Sequence, residues 1–223
     1  QGYSRVLRHL ARYTDLNKPD EVLDFIASKD VTPDRKQVIV NCYANYCDYK
    51  GLPLIKPLYR RTRKLPFIPL EEEIDELIEN LPFKLSTFCR FLKETGARCG
   101  EAWNLKWVDI NPEKCTVTIT PEKYSDPREL KISKQLIIDL YRLPRNSKYV
   151  FRFSNKSDLE NFRRRFEKHR KRIANRLKNP RINSIKFHTF RHWKASTEYQ
   201  KTKDILYVKK ILGHRSITST LIY

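Results

Sequence analysis

Hydrophobic positions in the first sixty residues recur at three- and four-residue intervals, the spacing that lines one side of a helix. Val6, Leu7, Leu10 and Tyr13 form one such set, and Val22, Leu23, Phe25 and Ile26 form a second behind the acidic start Asp20-Glu21. A third helix is predicted to open near Thr32-Pro33-Asp34, run through Val38, Ile39, Tyr43 and Tyr46, and stop at Gly51. A basic, proline-punctuated run at residues 60–66 then reads as a linker. Beyond it Glu71-Glu72-Glu73 suits a first helical turn, where carboxylates face the positive end of the dipole, and Ile74, Leu77 and Ile78 follow at core spacing. Leu85, Phe88, Phe91 and Leu92 extend the helical pattern to Thr95-Gly96. The texture then changes to β-rich: Thr116-Val117-Thr118-Ile119-Thr120 and Glu129-Leu130-Lys131-Ile132 read as two strands joined by a turn over residues 121–127. Residues 134–143 return to helix with Ile137, Ile138, Leu140 and Tyr141 buried, residues 161–181 form a basic helix, and Trp193, Ile205, Leu206, Val208 and Ile211 belong to the core. The expected fold is mainly α with a small antiparallel β-sheet: a helical N-terminal bundle over residues 1–63 and an α+β domain over residues 64–223.

Charge adds a partner to this outline. Lys and Arg number 46 against 26 Asp and Glu, a formal net charge of +20, which points to a polyanion and first of all to nucleic acid. No apolar run approaches the length of a membrane span and the cations are not confined to one amphipathic helix, so a membrane is not expected. Two stretches concentrate the charge: Arg60, Arg61, Arg63 and Lys64 in the linker, and Arg163, Arg164, Arg165, Lys168, Arg170, Lys171 and Arg172 in a segment whose single acid is Glu167. Both are expected to meet the phosphate backbone of DNA. Cys42, Cys47, Cys89, Cys99 and Cys115 are odd in number and lack metal-ligand spacing, so they are read as reduced thiols with no metal site, in an intracellular protein. The chain has no Met and begins at Gln1, as a fragment or processed product would.

The chemistry gathers near the C-terminus. His188 and Arg191 in Phe187-His188-Thr189-Phe190-Arg191-His192 lie three apart and share a helix face, one able to move a proton and the other to grip an anion. In Leu212-Gly213-His214 the glycine is suited to end a helix in the left-handed conformation, with His214 carried into the turn that follows. Nine residues after His214 stands Tyr223, a phenol able to attack phosphorus once its proton is taken.

This arrangement of His-x-x-Arg, Leu-Gly-His and a following Tyr resembles the tyrosine recombinases, the phage-type integrases. The family also keeps an Arg in a Thr-Gly-x-Arg-x-x-Glu setting, matched by Thr95-Gly96-Ala97-Arg98-Cys99-Gly100-Glu101, and a Lys in a hairpin turn, matched by Lys123. The resemblance implies a catalytic set of Arg98, Lys123, His188, Arg191, His214 and Tyr223. In it Arg98 and Arg191 clamp the phosphate, His188 is general base, Lys123 protonates the departing 5′ oxygen and His214 donates to the phosphate, while Glu101 orients a basic neighbour, His188 being the candidate. It further implies cleavage and rejoining of double-stranded DNA through a 3′-phosphotyrosyl ester without ATP, metal or other cofactor, residues 1–63 being a core-binding domain that closes a clamp around DNA. Assembly is expected as a homo-tetramer on two duplexes, monomeric or dimeric when free, in the cytoplasm with the nucleoid or in a host cell if virus- or plasmid-encoded. A type IB topoisomerase-like relaxing enzyme and a DNA-binding relative that has lost turnover are the alternatives. Family members continue past the nucleophile, where this sequence stops, which bears on docking between protomers.

Overall fold

The computed structural model describes residues 2–60, 65–122, 125–152 and 158–223. Two compact units divide it, Gln1–Lys64 and Leu65–Tyr223.

The first unit is three helices. In α1 (Gly2–Leu10) Val6 and Leu10 are buried, in α2 (Pro19–Ser28) Val22 and Ile26, each pair four apart and so stacked on one face. They pack on α3 (Pro33–Lys50), which buries Ile39, Val40, Tyr43 and Cys47. Thr32 caps α3 by accepting from the Arg35 N–H, and Gly51 ends it at φ +67°. Closure is completed by the Leu52 N–H reaching back to the Cys47 carbonyl. Tyr13, expected on the first helix, lies beyond its end and stacks on Phe25 at 5.3 Å between ring centroids.

The second unit opens with α4 (Glu71–Glu79) and α5 (Phe83–Thr95), then the single turn α6 (Cys99–Trp103). Strands β1 (Ile110–Asn111), β2 (Thr116–Ile119) and β3 (Arg128–Lys131) form an antiparallel sheet in that order, with Val117 opposite both Ile110 and Leu130. Helices α7 (Lys134–Tyr141), α8 (Leu159–Arg176), α9 (Phe187–Thr202) and α10 (Ile205–Leu212) follow. The described chain is therefore mainly helical with a small antiparallel sheet. Buried α5 is the hub, packed against α4, α6, α7 and α9. Its Phe88 meets Phe151, Phe162 and Phe187 edge-on at 4.8, 4.9 and 5.1 Å, so one aromatic cluster joins α5 to α8 and to the start of α9.

Three expectations change. Only Leu136 and Leu140 of the apolar residues in α7 are fully buried, while Ile138 and Tyr141 are exposed; the helix presents one face to the core, and its apolar residues are wider than that face. Leu206 also faces outward, with Val208, Ile211 and Leu212 turned in. The basic helix stops at Arg176, because Lys178 takes a left-handed φ of +52° and Pro180 starts a separate turn.

Candidate active site

Arg98 stands at the entry to α6 and is fixed by the residue three ahead. The Glu101 carboxylate accepts the Arg98 backbone N–H at 2.9 Å and its Nη1 at 3.0 Å, and the buried Arg128 Nη2 at 2.7 Å. Glu101, expected to orient His188, is thus occupied by two guanidiniums. Burial raises its pKa, but the Arg128 hydrogen bond and charge, the Arg98 backbone N–H and the Arg191 charge together outweigh this and hold it below the usual 4.5. Arg98 Nη1 also donates to Ser125 Oγ at 2.6 Å, and Ser125 Oγ donates to the Gly213 carbonyl at 2.7 Å. Through Ser125 the end of the β2–β3 turn is laced to the Leu-Gly-His box, where Ser125 and His214 form a single antiparallel bridge.

Gly213 is required twice over. Its φ is +67°, and an added Cβ would lie 2.8 Å from the Asp126 carbonyl and 2.9 Å from Arg128 Nη1. The glycine ends α10, and the turn that follows carries His214 inward, where Nδ1 pairs with Thr220 Oγ1 at 2.9 Å. Thr220 is fully buried, and its carbonyl accepts the Tyr223 N–H, so one threonine connects the imidazole to the phenol-bearing segment.

Arg191 is the largest fully buried side chain, 1% exposed. Nη1 donates to the Gly96 carbonyl at 2.8 Å and Nη2 to the Leu212 carbonyl at 2.6 Å, so one guanidinium spans the C-terminal ends of α5 and α10. Both are carbonyl ends carrying partial negative charge, where a cation is favoured. Burial first, then Arg98 and Arg128, lower its pKa; a guanidinium nonetheless keeps its proton.

These groups form one electrostatic centre. Arg191 and Arg98 both act on His188, His214 and Tyr223. Burial with these cations holds His214 neutral, its pKa at about 4, and lowers that of His188. Burial raises the Tyr223 phenol, and the two guanidiniums pull it back. Five of the six expected catalytic residues, Arg98, His188, Arg191, His214 and Tyr223, are therefore brought together, while Lys123 lies outside the described residues. So do Arg61, Arg63 and Lys64; Arg60 is exposed.

Among the described residues no hydrogen bond or ring contact joins His188 to Tyr223. The imidazole in contact with the phenol is His192, whose Nδ1 lies 2.8 Å from Tyr223 Oη, and His188 sits edge-on to His192 with centroids 4.6 Å apart. His192, Ser125, Arg128 and Thr220 were not singled out from the sequence. For His192 a signal existed: it stands four residues after His188, on the same helix face.

Of the cations on α8, Arg163, Arg164, Arg165, Lys168, Lys171 and Arg172 are exposed. Arg170 is not: it turns inward and donates to the Ile185 carbonyl at 3.0 Å, because its position falls on the face of Phe166 and Ile173. A cavity of about 600 Å³ beside the site is lined by Arg98, Arg163, Lys186 and His188 together with Glu122 and Glu167. Among the described residues no three of His, Cys, Asp and Glu converge to hold a metal ion, and no helix is long and apolar enough to cross a membrane.

The sequence pattern of the phage integrase family matches residues 70–223, the segment that holds every group of this site. This chain belongs to the phage integrase family, the tyrosine recombinases. The tyrosine recombinase XerA of Pyrococcus furiosus is 27% identical over 100% of this chain and 77% of that protein. Tyrosine recombinase XerH of Campylobacter jejuni is 31% identical over 72% of this chain, and the matched part is 48% of its own length. The ICEBs1 integrase of Bacillus subtilis is likewise matched over 53% of its length, so the chain spans about half of these two phage integrase relatives. Among solved structures, the Tn1549 transposon integrase in complex with circular intermediate DNA shares the fold, with a TM-score of 0.79 and 14% identity over 100% of this chain and 87% of that one.

Proposed function

We propose that this tyrosine recombinase is a site-specific DNA recombinase or integrase that cuts and rejoins strands through a 3′-phosphotyrosyl ester. The observation that carries the reading is the convergence of two guanidiniums, three imidazoles and one phenol in a single cationic centre, with Arg191 and His214 buried at its base. A phosphodiester resists attack because its charge repels nucleophiles and its alkoxide leaves poorly. Arg98 and Arg191 oppose the first difficulty with permanent charge, whose attraction strengthens as the pentavalent transition state gains negative charge. His214 and His188 are neutral donors available to the non-bridging oxygens. Tyr223 attacks phosphorus, and Lys123, between β2 and β3 in sequence, protonates the departing 5′ oxygen. The bond energy is kept in the ester, so neither ATP nor a metal is needed to reseal.

The outer face of α8, with Arg164, Arg165, Lys168, Lys171 and Arg172 opposite its buried apolar stripe, suits the phosphate backbone, as does the cationic cavity beside Arg98. Residues 1–63 act as the core-binding domain and residues 64–223 as the catalytic domain. Solved relatives support the partner: a lambda integrase tetramer is bound to a Holliday junction, and XerH is bound to its difH substrate. Assembly of this chain as a homo-tetramer on two duplexes, monomeric or dimeric when free, and residence in the cytoplasm or a host cell follow from that reading.

The test is trapping on a pool of singly nicked duplexes with randomised cores, resolved by denaturing gel and sequencing. A recombinase gives a covalent adduct that selects one sequence, and Tyr223→Phe binds the same DNA without forming it. An adduct surviving in Tyr223→Phe overturns the assignment of the nucleophile. Relaxation of any supercoiled plasmid, with no selected sequence, supports the topoisomerase instead, and neither activity leaves a binding protein.

A further inference from the structure

The phenol of Tyr223 needs a proton acceptor, and only one described side chain is within hydrogen-bonding distance of it. We infer that His192, rather than His188, is the general base that receives the Tyr223 proton, an assignment that rests on the strand-cleavage reading above.

The 2.8 Å contact between Tyr223 Oη and His192 Nδ1 lets the phenol donate when the neutral imidazole carries its hydrogen on Nε2, the tautomer that a base in this position requires. The rings meet at 5.5 Å between centroids with their planes inclined by 53°, a tilt that brings the phenol oxygen to the imidazole nitrogen without stacking. His188 packs its ring at 89° to that of His192. It therefore buttresses the base from the preceding turn of α9 and has its own nitrogens free for phosphate oxygens.

The setting keeps His192 ready. Three charged or titratable groups face it: His188 and Arg191 on its own helix, and Tyr223 from the C-terminal segment. Burial, then His188 and Arg191, bring its pKa to about 4, so near neutral pH the Nδ1 lone pair is open to the phenol. Such an imidazole is a weak base in the resting state. It strengthens as negative charge builds on the phosphorane beside it, since that charge offsets the cations that depress it.

The step balances. The Tyr223 Oη–phosphorus bond forms as the phenol proton passes to His192 Nδ1, and the phosphorus–O5′ bond breaks with its electron pair leaving on O5′, which takes a proton from the leaving-group acid. In rejoining, the 5′ hydroxyl forms the phosphorus–O5′ bond as its proton returns to the leaving-group acid, the phosphorus–Oη bond breaks, and His192, now imidazolium, returns its proton to the departing phenolate. Both directions use one contact, already formed before DNA arrives.

Two measurements test the assignment. In the DNA-free chain, nitrogen NMR of labelled histidine should show His192 protonated on Nε2 only, with its Nδ1 signal moving in Tyr223→Phe while that of His188 stays in place. An Nδ1-protonated His192, or a signal indifferent to Tyr223→Phe, overturns the assignment whether or not any variant folds. Single-turnover adduct formation on the selected nicked duplex should then fall about 10²- to 10⁴-fold in His192→Ala and recover with added imidazole, as expected of a lost general base. His192→Asn retains an acceptor near the phenol without basicity and should stay slow. A wild-type rate in His192→Asn sinks the base assignment alone, whereas no adduct from the wild-type chain sinks the cleavage reading and the base with it.

Discussion

Arg191 shows how a side chain proposed for catalysis can also be scaffold. Its two amino groups satisfy carbonyls at the ends of α5 and α10, and the same guanidinium exerts the largest charge effect on His188, His214 and Tyr223. Arg191→Ala leaves both carbonyls buried and unpaired, which should cost on the order of 2–4 kcal/mol of stability in denaturant unfolding, along with adduct formation. Arg191→Lys keeps the charge but cannot span two acceptors with a planar fork. It should recover part of that stability and little of the cleavage rate, and a lysine variant cutting at full rate would show that only the charge matters.

Acid should expose the histidines at the same scale. His192 and His214 are held at about 4 in the folded chain against 6.5 when free, so between those values the unfolded chain binds more protons. Stability is then complete above pH 6.5 and falls as pH drops toward 4. Glu101, lowered from 4.5, adds a separate loss below that value, where its pairing with Arg98 and Arg128 is protonated away. Thermal melts across this range check the sign: a melting temperature constant down to pH 4.5 contradicts buried neutral imidazoles.

Among the elements, the C-terminus of α10 carries the most consequence per residue. Gly213 supplies a left-handed turn and lets the Ser125–Asp126 backbone approach, and His214 is aimed by that turn. Gly213→Ala should cost about 1–3 kcal/mol from the conformation alone. The clash with Asp126 adds to this, and adduct formation should fall because Ser125 no longer links Arg98 to the box. Unfolding and trapping measured on the same sample would separate the two losses; an alanine variant with normal rate and stability means the hairpin simply moves aside. The helix α8 behaves differently. Its basic outer face was legible as charge, but which cation turns inward depended on registry, and Arg170 shares the buried stripe of Phe166 and Ile173.

For the molecule as a whole, 46 basic residues against 26 acidic ones predict that the proposed DNA binding is an ion-exchange reaction. Affinity should fall linearly on a log–log plot against salt. Neutralising Lys168 or Lys171 should reduce the slope by about 1 for each phosphate left without its cation, with little change in sequence preference. Fluorescence anisotropy at several salt concentrations reads this directly, and a flat response removes α8 from the interface.

Hydrophobic period, cap residues and charge bias are local properties. From them the helical N-terminal unit, the β-hairpin and the left-handed glycine after Leu212 could be named, while the five described members of the candidate site were named by the resemblance to the tyrosine recombinases. Partnership is not local. That Glu101 holds Arg98 and Arg128 instead of His188, that Arg191 joins two helix ends, and that His192 meets the phenol 31 positions away all depend on how α5, α9 and α10 stack. A residue's type states what bond it is able to make. Only packing decides which of several chemically equal partners comes within 3 Å, because hydrogen bonds and ion pairs lose their preference for one partner beyond that distance.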